Sequence, residues 1–424
     1  MSAESQKVAM IPAVEADRII SNLVTPLGNS VHVETVPLKR AAGRVLAKAV
    51  SGQLDIPHWD NSAMDGYAVR YADVQGVSAT SPRQLIIVEE IPAGYNPSRE
   101  IAPGQAARIF TGGMVPEGAD AIVIQENTER QGDQVAVLMS PEASAFIRRR
   151  GEFYRAGEPL LAAGTLLGAP DIAILATAQC SQVPVYRRPR VAILSTGNEL
   201  VPPELPLKPG QIVDSNQYAL AALVTASDAE AVTLGIVPDD PGQLKQAIAH
   251  ALTQADVVLS SGGVSVGDYD YVDQILAELG AEIHIRAVAV KPGKPLTVAT
   301  IQRGDRRALY FGLPGNPVSS LVSFWRFVQP AIRQLSGRSQ GWGPTFLPAV
   351  TAQDLRAGGQ RETYLWGRVT VTSDGYCFRL SSGSHSSGNL VNLSQTNALA
   401  RIPQGETYLE AGRTVQVMVV GTIL

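Results

Sequence analysis

The sequence DVVLSSGGVSVGDYD at residues 256–270 sets a short apolar run directly before a Ser/Gly-rich loop. Two other stretches repeat this arrangement, RVAILSTGNEL at 190–200 and ALYFGLPGNP at 308–317. Helix-like segments separate the apolar runs, and strands that alternate with helices are typical of a parallel, doubly wound α/β sheet. In such a sheet, ligands bind outside the carboxyl ends of the strands. The sequence therefore predicts an α/β module with a binding site in these loops.

Local patterns place four strands and four helices in this module. The predicted strands cover residues 191–194, 231–237, 256–259 and 308–311. The predicted helices cover residues 217–226, 241–253, 272–279 and a long segment at 318–335. Because each Ser/Gly-rich loop leaves the end of a strand, all three loops should lie on one edge of the sheet.

The regions that flank the module have different patterns. Helix-like segments at 14–23, 38–49 and 169–177 surround a stretch, about residues 67–140, in which Gly and Pro divide short β-branched runs. These runs predict strands at 84–88, 121–124 and 134–138. The last stretch, from about residue 343, again has short strands split by Gly, Ser and Pro. We therefore predict a multidomain fold that combines α/β and all-β parts. The parts are a mixed N-terminal domain (1–50 and 150–188), a small β-rich insertion domain (51–149), the doubly wound α/β domain (189–337) and a C-terminal β domain (340–424).

Composition narrows the class of protein. The 424 residues include 45% hydrophobic and 17% charged residues, which is typical of a folded globular chain. The net charge of -4 favours neither a nucleic acid nor an anionic membrane as a partner. Two cysteines, Cys180 and Cys377, cannot form a disulfide framework or a Cys-based zinc site. The N-terminus lacks the pattern of a signal peptide, and no apolar run reaches the ~20 residues that span a bilayer. We therefore expect a cytoplasmic protein.

The three loops have the composition of a phosphate-binding site. Glycine lets backbone N–H groups approach a ligand, hydroxyl groups add donors, and the N-terminus of a helix adds partial positive charge. Neither the P-loop pattern nor the dinucleotide-binding pattern G-x-G-x-x-G is present, which disfavours those two kinds of site. The predicted ligand-binding residues are Ser195, Thr196 and Gly197 in the first loop, Ser261, Gly262, Gly263, Ser265 and Gly267 in the second, and Pro314, Gly315, Asn316 and Pro317 in the third.

Charged residues near these loops extend the prediction. Carboxylates beside a phosphate site commonly hold Mg²⁺, together with water and the phosphate of the substrate. We assign Asp268 and Asp270, directly after the second loop, as the metal ligands. The other nearby acidic candidates are Glu199, Asp214 and Asp239. Lys291 and Lys294, in the segment KPGKP at 291–295, are the candidate cations.

Three polar segments in the N-terminal half are ambiguous from their residues alone. DNSAMDGYA at 60–68 and RIFTGG at 108–113 are compatible either with helix caps and Asx turns or with part of a site. RRRGE at 148–152 either meets an anion or forms a solvated basic turn.

These motifs occur together in one known family. DNSAMDGYA, RIFTGG with PEGADAIV at 116–123, RRRGE, STGNEL at 195–200, GQIVDSN at 210–216, SSGGVSVGDYDY at 260–271, KPGKP and LPGNPVSS at 313–320 follow one another over nearly the whole chain. The set resembles the molybdopterin molybdenumtransferases of the MoeA type, which are related to the gephyrin E domain.

The resemblance implies an activity and a set of roles. It implies an elongated homodimer that inserts molybdate into adenylylated molybdopterin with Mg²⁺ and releases AMP, completing molybdenum cofactor biosynthesis. It further implies that Asp60 and Thr111 reach the site across the dimer. Glu199, Asp239 and Asp270 are implied as acidic catalytic residues, Lys291 as a cation of the anion pocket, and Pro314 and Pro317 as residues that shape its loop. Molybdopterin adenylyltransferase and recipient molybdoenzymes are the implied protein partners.

One departure and two alternatives remain open at this point. The family usually has Asp after the Gly-Glu of the Arg-rich turn, where this chain has Phe153. A molybdopterin adenylyltransferase would use a fold similar to residues 189–337, but it would leave the flanking domains without a purpose. A non-catalytic scaffold of the gephyrin E-domain kind is the third interpretation.

Overall fold

The structure, a computed structural model, describes residues 9–27, 32–263, 269–304 and 306–423, with backbone only for residues 269–271. Three six-stranded sheets form most of the described chain. One lies in the N-terminal half, one in the α/β module and one in the C-terminal region. The combination of α/β and all-β parts agrees with the predicted fold class, whereas the domain boundaries and the elongated homodimer stay predictions.

The N-terminal region begins with the helix Ala13–Leu23, close to its predicted bounds. The strand Val33–Pro37 pairs antiparallel with Gln182–Tyr186, so the chain returns here after residue 180. The helix Ala169–Thr177 matches its prediction residue for residue.

The predicted helix over residues 38–49 is wrong. Only Leu38–Arg40 form a 3₁₀ turn there. Gly43 adopts a φ of +74°, which an α-helix does not permit. The backbone N–H of Leu46 then donates to the carbonyl of Thr165 at 2.9 Å rather than to its own preceding turn. Pairing with a distant segment therefore overrides the local helical preference.

The sheet of the insertion lies between two small apolar cores. The predicted strands at 84–88, 121–124 and 134–138 are confirmed, and the structure adds three that were not predicted, Gly66–Val69, Gln105–Ile109 and Thr128–Gln131. In spatial order the strands are Ala121–Ile124, Gly66–Val69, Gln105–Ile109, Arg83–Ile91, Gln134–Val137 and Thr128–Gln131.

The sheet of the α/β module contains all four predicted strands and two more. In spatial order they are Glu230–Val237, Arg190–Thr196, Val257–Ser261, Arg306–Leu313, Pro295–Arg303 and Ala281–Ala287. The first four are parallel, but Pro295–Arg303 and Ala281–Ala287 are antiparallel to their neighbours. The prediction of a wholly parallel sheet is therefore wrong at this edge. Only two residues, 304 and 305, connect Pro295–Arg303 to Arg306–Leu313, and so short a connection joins antiparallel strands only.

Helices cover both faces of this sheet, as the doubly wound prediction requires. They are Asn216–Ala226, Pro241–Gln254, Tyr269–Glu278 and a final helix over 317–335. The final helix consists of Pro317–Ser323, a π-helical turn at Phe324–Val328, and Gln329–Leu335. Within the π turn, Arg326 is only 3% exposed and donates to both carboxylate oxygens of Asp17, at 2.5 and 2.6 Å. This ion pair joins the N-terminal helix to the module.

The C-terminal region closes into a barrel. The strands Glu362–Thr372, Gly375–Leu380, Phe346–Thr351, Thr414–Val419 and Ala398–Ile402 pair in that order, and the last pairs again with the first. Val290–Lys291 of the module pairs parallel with Glu362 and Thr363, so the barrel is attached beside the KPGKP segment. Among the described residues, no helix combines the length and apolar character needed to cross a membrane.

Candidate active site

The three Ser/Gly-rich loops meet at one edge of the sheet, as predicted, around a cavity of about 860 Å³. The loops follow the carboxyl ends of the strands Arg190–Thr196, Val257–Ser261 and Arg306–Leu313. The predicted residues that line the cavity are Thr196, Gly197, Glu199, Asp214, Asp239, Ser261, Gly262, Gly263, Pro314, Gly315, Asn316 and Pro317.

Glycine is required where these loops touch. Gly262 adopts a φ of +95°, and a Cβ atom at this position would stand 2.4 Å from the carbonyl oxygen of Thr196. A Cβ on Gly315 would stand 3.5 Å from the Cα of Gly262. The first two loops are therefore in direct backbone contact, and the third lies against the second.

Four carboxylates line the described part of the cavity: Glu199, Asp214, Asp239 and Asp240. Asp239 accepts from the backbone N–H of Asn198 at 3.2 Å, and the Asn198 side chain accepts from the Asp239 N–H at 3.1 Å. Asp214 is 2% exposed and accepts from the backbone and side chain of Gln217 at 3.2 and 3.3 Å. Asp240 caps the helix Pro241–Gln254 by accepting from Gln243 at 2.8 Å. The wall thus presents fixed acidic groups.

Another part of the cavity wall, here called the hydroxyl-rich end, lies near several hydroxyl groups. Pro295 and Ser319 line it, and Ser320, Ser323 and Thr297 are buried close by in the same two elements. Among the described residues, the hydroxyls of Ser320, Ser323 and Thr297 have no hydrogen-bond partner. Buried hydroxyls without partners are costly, and these three lie close in the chain to the wall residues Pro295 and Ser319 rather than in the wall itself.

The lysines of KPGKP lie beside this end rather than in its wall. A Cβ on Gly293 would stand 2.7 Å from the Ser323 hydroxyl, so the segment packs against the helix Pro317–Ser323. Lys291 is exposed and Lys294 is half-buried, and neither lines the cavity in the described conformation. Pro295, which follows Lys294, does line it.

The C-terminal barrel supplies a wall that sequence reasoning missed. Gly388 and Leu390 line the cavity from a Ser-rich segment, residues 381–396. The ring of His385 in this segment packs on Trp366, 4.2 Å between centroids, and burial lowers the pKa of this histidine. The sequence gives little indication of this wall, because the composition of residues 381–396 is that of an ordinary surface loop.

Asp60 and Thr111 lie away from this cavity in the described chain. Asp60 accepts from the Arg149 side chain at 2.6 Å and from the Arg150 N–H at 2.7 Å. The N–H and hydroxyl of Thr111 donate to Asp65 at 2.7 and 2.8 Å. These two bonds, the backbone N–H first, hold the pKa of Asp65 below its usual value. Asp60 of the DNSAMDGYA motif therefore holds the Arg-rich turn at 148–152.

Several predicted residues cannot be placed in this cavity. Ser265, Gly267 and Asp268 lie outside the described residues, as does the side chain of Asp270. Ser195 is buried behind the first loop, 1% exposed, and does not line the cavity. Over the described part of the chain, no group of three or more His, Cys, Asp or Glu side chains is close enough to hold a metal ion. The metal site at Asp268 and Asp270 stays a prediction.

Comparison with known proteins identifies the family. The family "MoeA N-terminal region (domain I and II)" matches residues 11–178, "Probable molybdopterin binding domain" matches 192–334, and "MoeA C-terminal region (domain IV)" matches 348–420. A molybdopterin molybdenumtransferase from a Nostoc species is 55% identical over 409 residues, covering 96% of this chain and 94% of its own. The chain belongs to the molybdopterin molybdenumtransferase family. The resemblance drawn from the motifs is thereby confirmed, as is the enzyme class, a transferase of molybdenum cofactor biosynthesis.

Two more relatives support this membership of the family. A molybdopterin molybdenumtransferase from Haemophilus influenzae is 34% identical over 403 residues, covering 95% of this chain and 97% of its own. The crystal structure of a molybdopterin biosynthesis MoeA protein from Pyrococcus horikoshii has a TM-score of 0.82 at 29% identity, covering 97% of this chain and 100% of that one. The roles of individual residues stay predictions.

Proposed function

We propose that this chain inserts molybdate into the dithiolene of adenylylated molybdopterin, with Mg²⁺, and releases AMP. The observation that carries the proposal is the cavity of about 860 Å³ at the meeting point of the three loops. Its volume falls within the range of small-molecule sites, and its walls combine glycine-rich backbone, hydroxyls and carboxylates. A nucleotide-bearing ligand needs all of these groups.

The loops would hold the phosphates of the substrate. Backbone N–H groups at Gly263 and Gly315 can approach a phosphate closely because no Cβ intervenes, whereas that of Gly262 donates to the Leu313 carbonyl at 3.2 Å. The helix that begins at Pro317 adds partial positive charge through its dipole.

The carboxylates fit a hard cation. Mg²⁺ takes oxygen ligands and keeps several waters, so one or two of the acidic residues Glu199, Asp239, Asp268 and Asp270 would hold it beside the phosphates. When bound, this ion would neutralise charge on the phosphoanhydride as AMP leaves. Asp239, held by Asn198, would stay in one orientation through the reaction.

The hydroxyl-rich end would receive molybdate. A tetrahedral oxyanion needs several donors and at least one cation. Ser319 lines this end, and Ser320 and Ser323 follow it on the same helix. Lys291 and Lys294 stand beside it on the packed KPGKP segment, where a small movement of their long side chains would add positive charge.

A homodimer would complete the site. Asp60 and Thr111 do not line the cavity of their own chain, so we propose that the insertion domain of the partner subunit presents them to it. We further propose molybdopterin adenylyltransferase as the protein that delivers the substrate, and recipient molybdoenzymes as acceptors of the product.

An anaerobic assay tests this proposal. The purified chain is given adenylylated molybdopterin, Mg²⁺ and molybdate, and AMP release is followed with and without each component. We expect AMP release that requires both molybdate and Mg²⁺, and Asp270→Ala should abolish it. Consumption of ATP with bare molybdopterin would instead identify an adenylyltransferase. A folded dimer without either activity would identify a scaffold.

A further inference from the structure

Asn216 connects two of the three loops through one side chain. It begins the helix Asn216–Ala226 and is 7% exposed at the cavity wall. Its Nδ2 group donates to the Ser261 hydroxyl at 2.6 Å and to the Gly315 carbonyl at 2.9 Å. The first partner ends the strand before Gly262, and the second precedes the helix Pro317–Ser323.

The orientation of this amide is determined by its partners. A carbonyl oxygen only accepts, so the nitrogen of Asn216 must face Gly315. The reversed amide would bring two acceptors together. The oxygen, Oδ1, then points away and has no partner within the described part of the chain. A buried acceptor without a partner is costly, so it calls for an explanation beyond stability.

The two hydrogen bonds of the Asn216 amide connect loops whose backbone N–H groups would bind phosphate in the proposed function. A Cβ on Gly315 would stand 3.5 Å from the Cα of Gly262, so the two loops lie side by side. A backbone bond from the Gly262 N–H to the Leu313 carbonyl at 3.2 Å joins their bases, and the Asn216 amide adds a side-chain link at Gly315. Donors bind a phosphate well only if they are held in place before it arrives. The relative position of these loops therefore sets how well their donors converge.

We infer that Asn216 is a positioning residue for the transferase reaction, which aligns the Ser261–Gly263 loop with the loop at Gly315 around the phosphates of the bound nucleotide. The inference rests on the proposed function, because it takes the nucleotide of that reaction as the ligand. It does not depend on molybdate, so nucleotide binding alone can test it.

The probe is AMP, titrated calorimetrically into the full-length protein and its variants. Asn216→Asp keeps the size of the side chain but replaces both donor hydrogens by an acceptor, so its AMP affinity at pH 8 should fall about tenfold, the scale of a lost buried hydrogen bond. The affinity of Asn216→Ala, which introduces no charge, should fall by a similar factor.

Asn397→Ala is the matched control. Asn397 lies in the C-terminal barrel, is also 7% exposed and also donates two hydrogen bonds, to Val369 at 2.9 Å and to Thr422 at 3.0 Å.

A pH series separates positioning from general destabilisation. As the pH falls from 8 towards 5, the carboxyl of Asn216→Asp takes up a proton and can donate to Gly315 again. Its affinity deficit relative to wild type should therefore shrink, while that of Asn216→Ala should stay constant. The neighbouring carboxylates Glu199, Asp214 and Asp239 and the AMP phosphate are present with wild type and both variants, so each deficit is taken as a ratio of affinities at one pH.

Four outcomes would overturn the inference. Asn216→Ala could bind AMP as tightly as the wild type does, or Asn397→Ala could lose as much affinity as Asn216→Ala. The affinity deficit of Asn216→Asp could be the same at pH 8 and pH 5, or the wild type could fail to bind AMP. If AMP binding follows the expected pattern but molybdate insertion is absent, the proposed function fails and only the role of Asn216 in nucleotide binding stands.

Discussion

The backbone N–H of Val318 donates to the carbonyl of Ser387 at 3.0 Å, which links the start of the helix Pro317–Ser323 to the Ser-rich segment of the C-terminal barrel. The first N–H groups of a helix have no partner within the helix and commonly bind anions or caps. Here one of them binds another domain, and Gly388 and Leu390, just beyond Ser387, line the cavity. The barrel is therefore part of the site and not only an appendage.

Asn392→Ala should loosen this wall. Asn392 accepts from the Trp366 indole at 3.0 Å and donates to the Ser384 carbonyl at 2.7 Å. Because the buried indole N–H would lose its partner, we expect a loss of about 1–3 kcal/mol in the free energy of unfolding, with weaker AMP binding. Urea unfolding followed by tryptophan fluorescence and an AMP titration measure both effects. Asn96→Ala, at an exposed Asn in the insertion, should change neither, and an equal effect there would contradict the assignment.

Asp17→Asn should weaken the attachment of the N-terminal helix. Arg326 is 3% exposed and would keep a buried charge with only Glu362, 4.0 Å away, as a carboxylate neighbour. Breaking a buried ion pair costs several kcal/mol, and because the Asp17 side chain is 40% exposed we expect the lower part of that range, about 2–3 kcal/mol. Glu15→Gln, which removes a surface pair with Arg18 at 3.9 Å, is the control and should shift stability by less than about 0.5 kcal/mol. Similar urea midpoints for the two variants would disprove the expectation.

The Asp65–Thr111 contact predicts a dependence of stability on pH. The backbone N–H of Thr111, with its hydroxyl, lowers the pKa of Asp65. A carboxylate with a lowered pKa contributes stability that is present above its unfolded value, about 3.9, and lost as the pH falls through its folded value. Asp65→Asn should therefore be less stable than wild type from pH 5 to 8, and the difference should shrink below pH 4. Thermal unfolding across this range measures it, with Asp133→Asn as an exposed control. A difference that grows on acidification would refute the sign.

Lys291→Ala and Lys294→Ala should each weaken the response to molybdate. Both remove a positive charge beside the hydroxyl-rich end of the cavity, where Pro295 and Ser319 form the wall. We expect about a tenfold higher half-saturating molybdate concentration, equivalent to about 1.4 kcal/mol, with a smaller change in AMP affinity. Lys245→Ala, a lysine paired with Glu278 at 2.8 Å on the surface, controls for net charge. Unaltered molybdate dependence in both variants would remove these lysines from the anion site.

Phe153→Asp tests the departure from the family pattern. Phe153 is 64% exposed on the turn that follows the arginines, and its N–H donates to Ile56 at 2.9 Å, a bond that any side chain permits. The change should therefore leave stability within about 0.5 kcal/mol. If an acid at this position assists the reaction, turnover should rise, and we expect that rise in the AMP-release assay. Unchanged turnover would show that phenylalanine carries no catalytic cost.

Elements formed by local rules were predicted well. The helix Ala169–Thr177 and the strand Ala121–Ile124 have their predicted bounds, because periodicity and flanking Gly or Pro act within a few residues. The antiparallel strands Ala281–Ala287 and Pro295–Arg303 were missed, since their assignment depends on which neighbour they pair with. The predicted helix over 38–49 failed for the same reason, because Leu46 bonds to Thr165.

The sequence by itself determined the family, the α/β module and the three loops, because glycine, strand ends and helix starts are encoded by neighbouring residues. Only the tertiary structure decided what else reaches the cavity. Asn216 and Leu390 enter it, while Asp60, Thr111 and the two lysines of KPGKP do not line it within their own chain. Which residues line the cavity depends on contacts between residues far apart in the sequence, such as Asn216 with Gly315 and Val318 with Ser387. These contacts form only when the separate parts of the chain pack together.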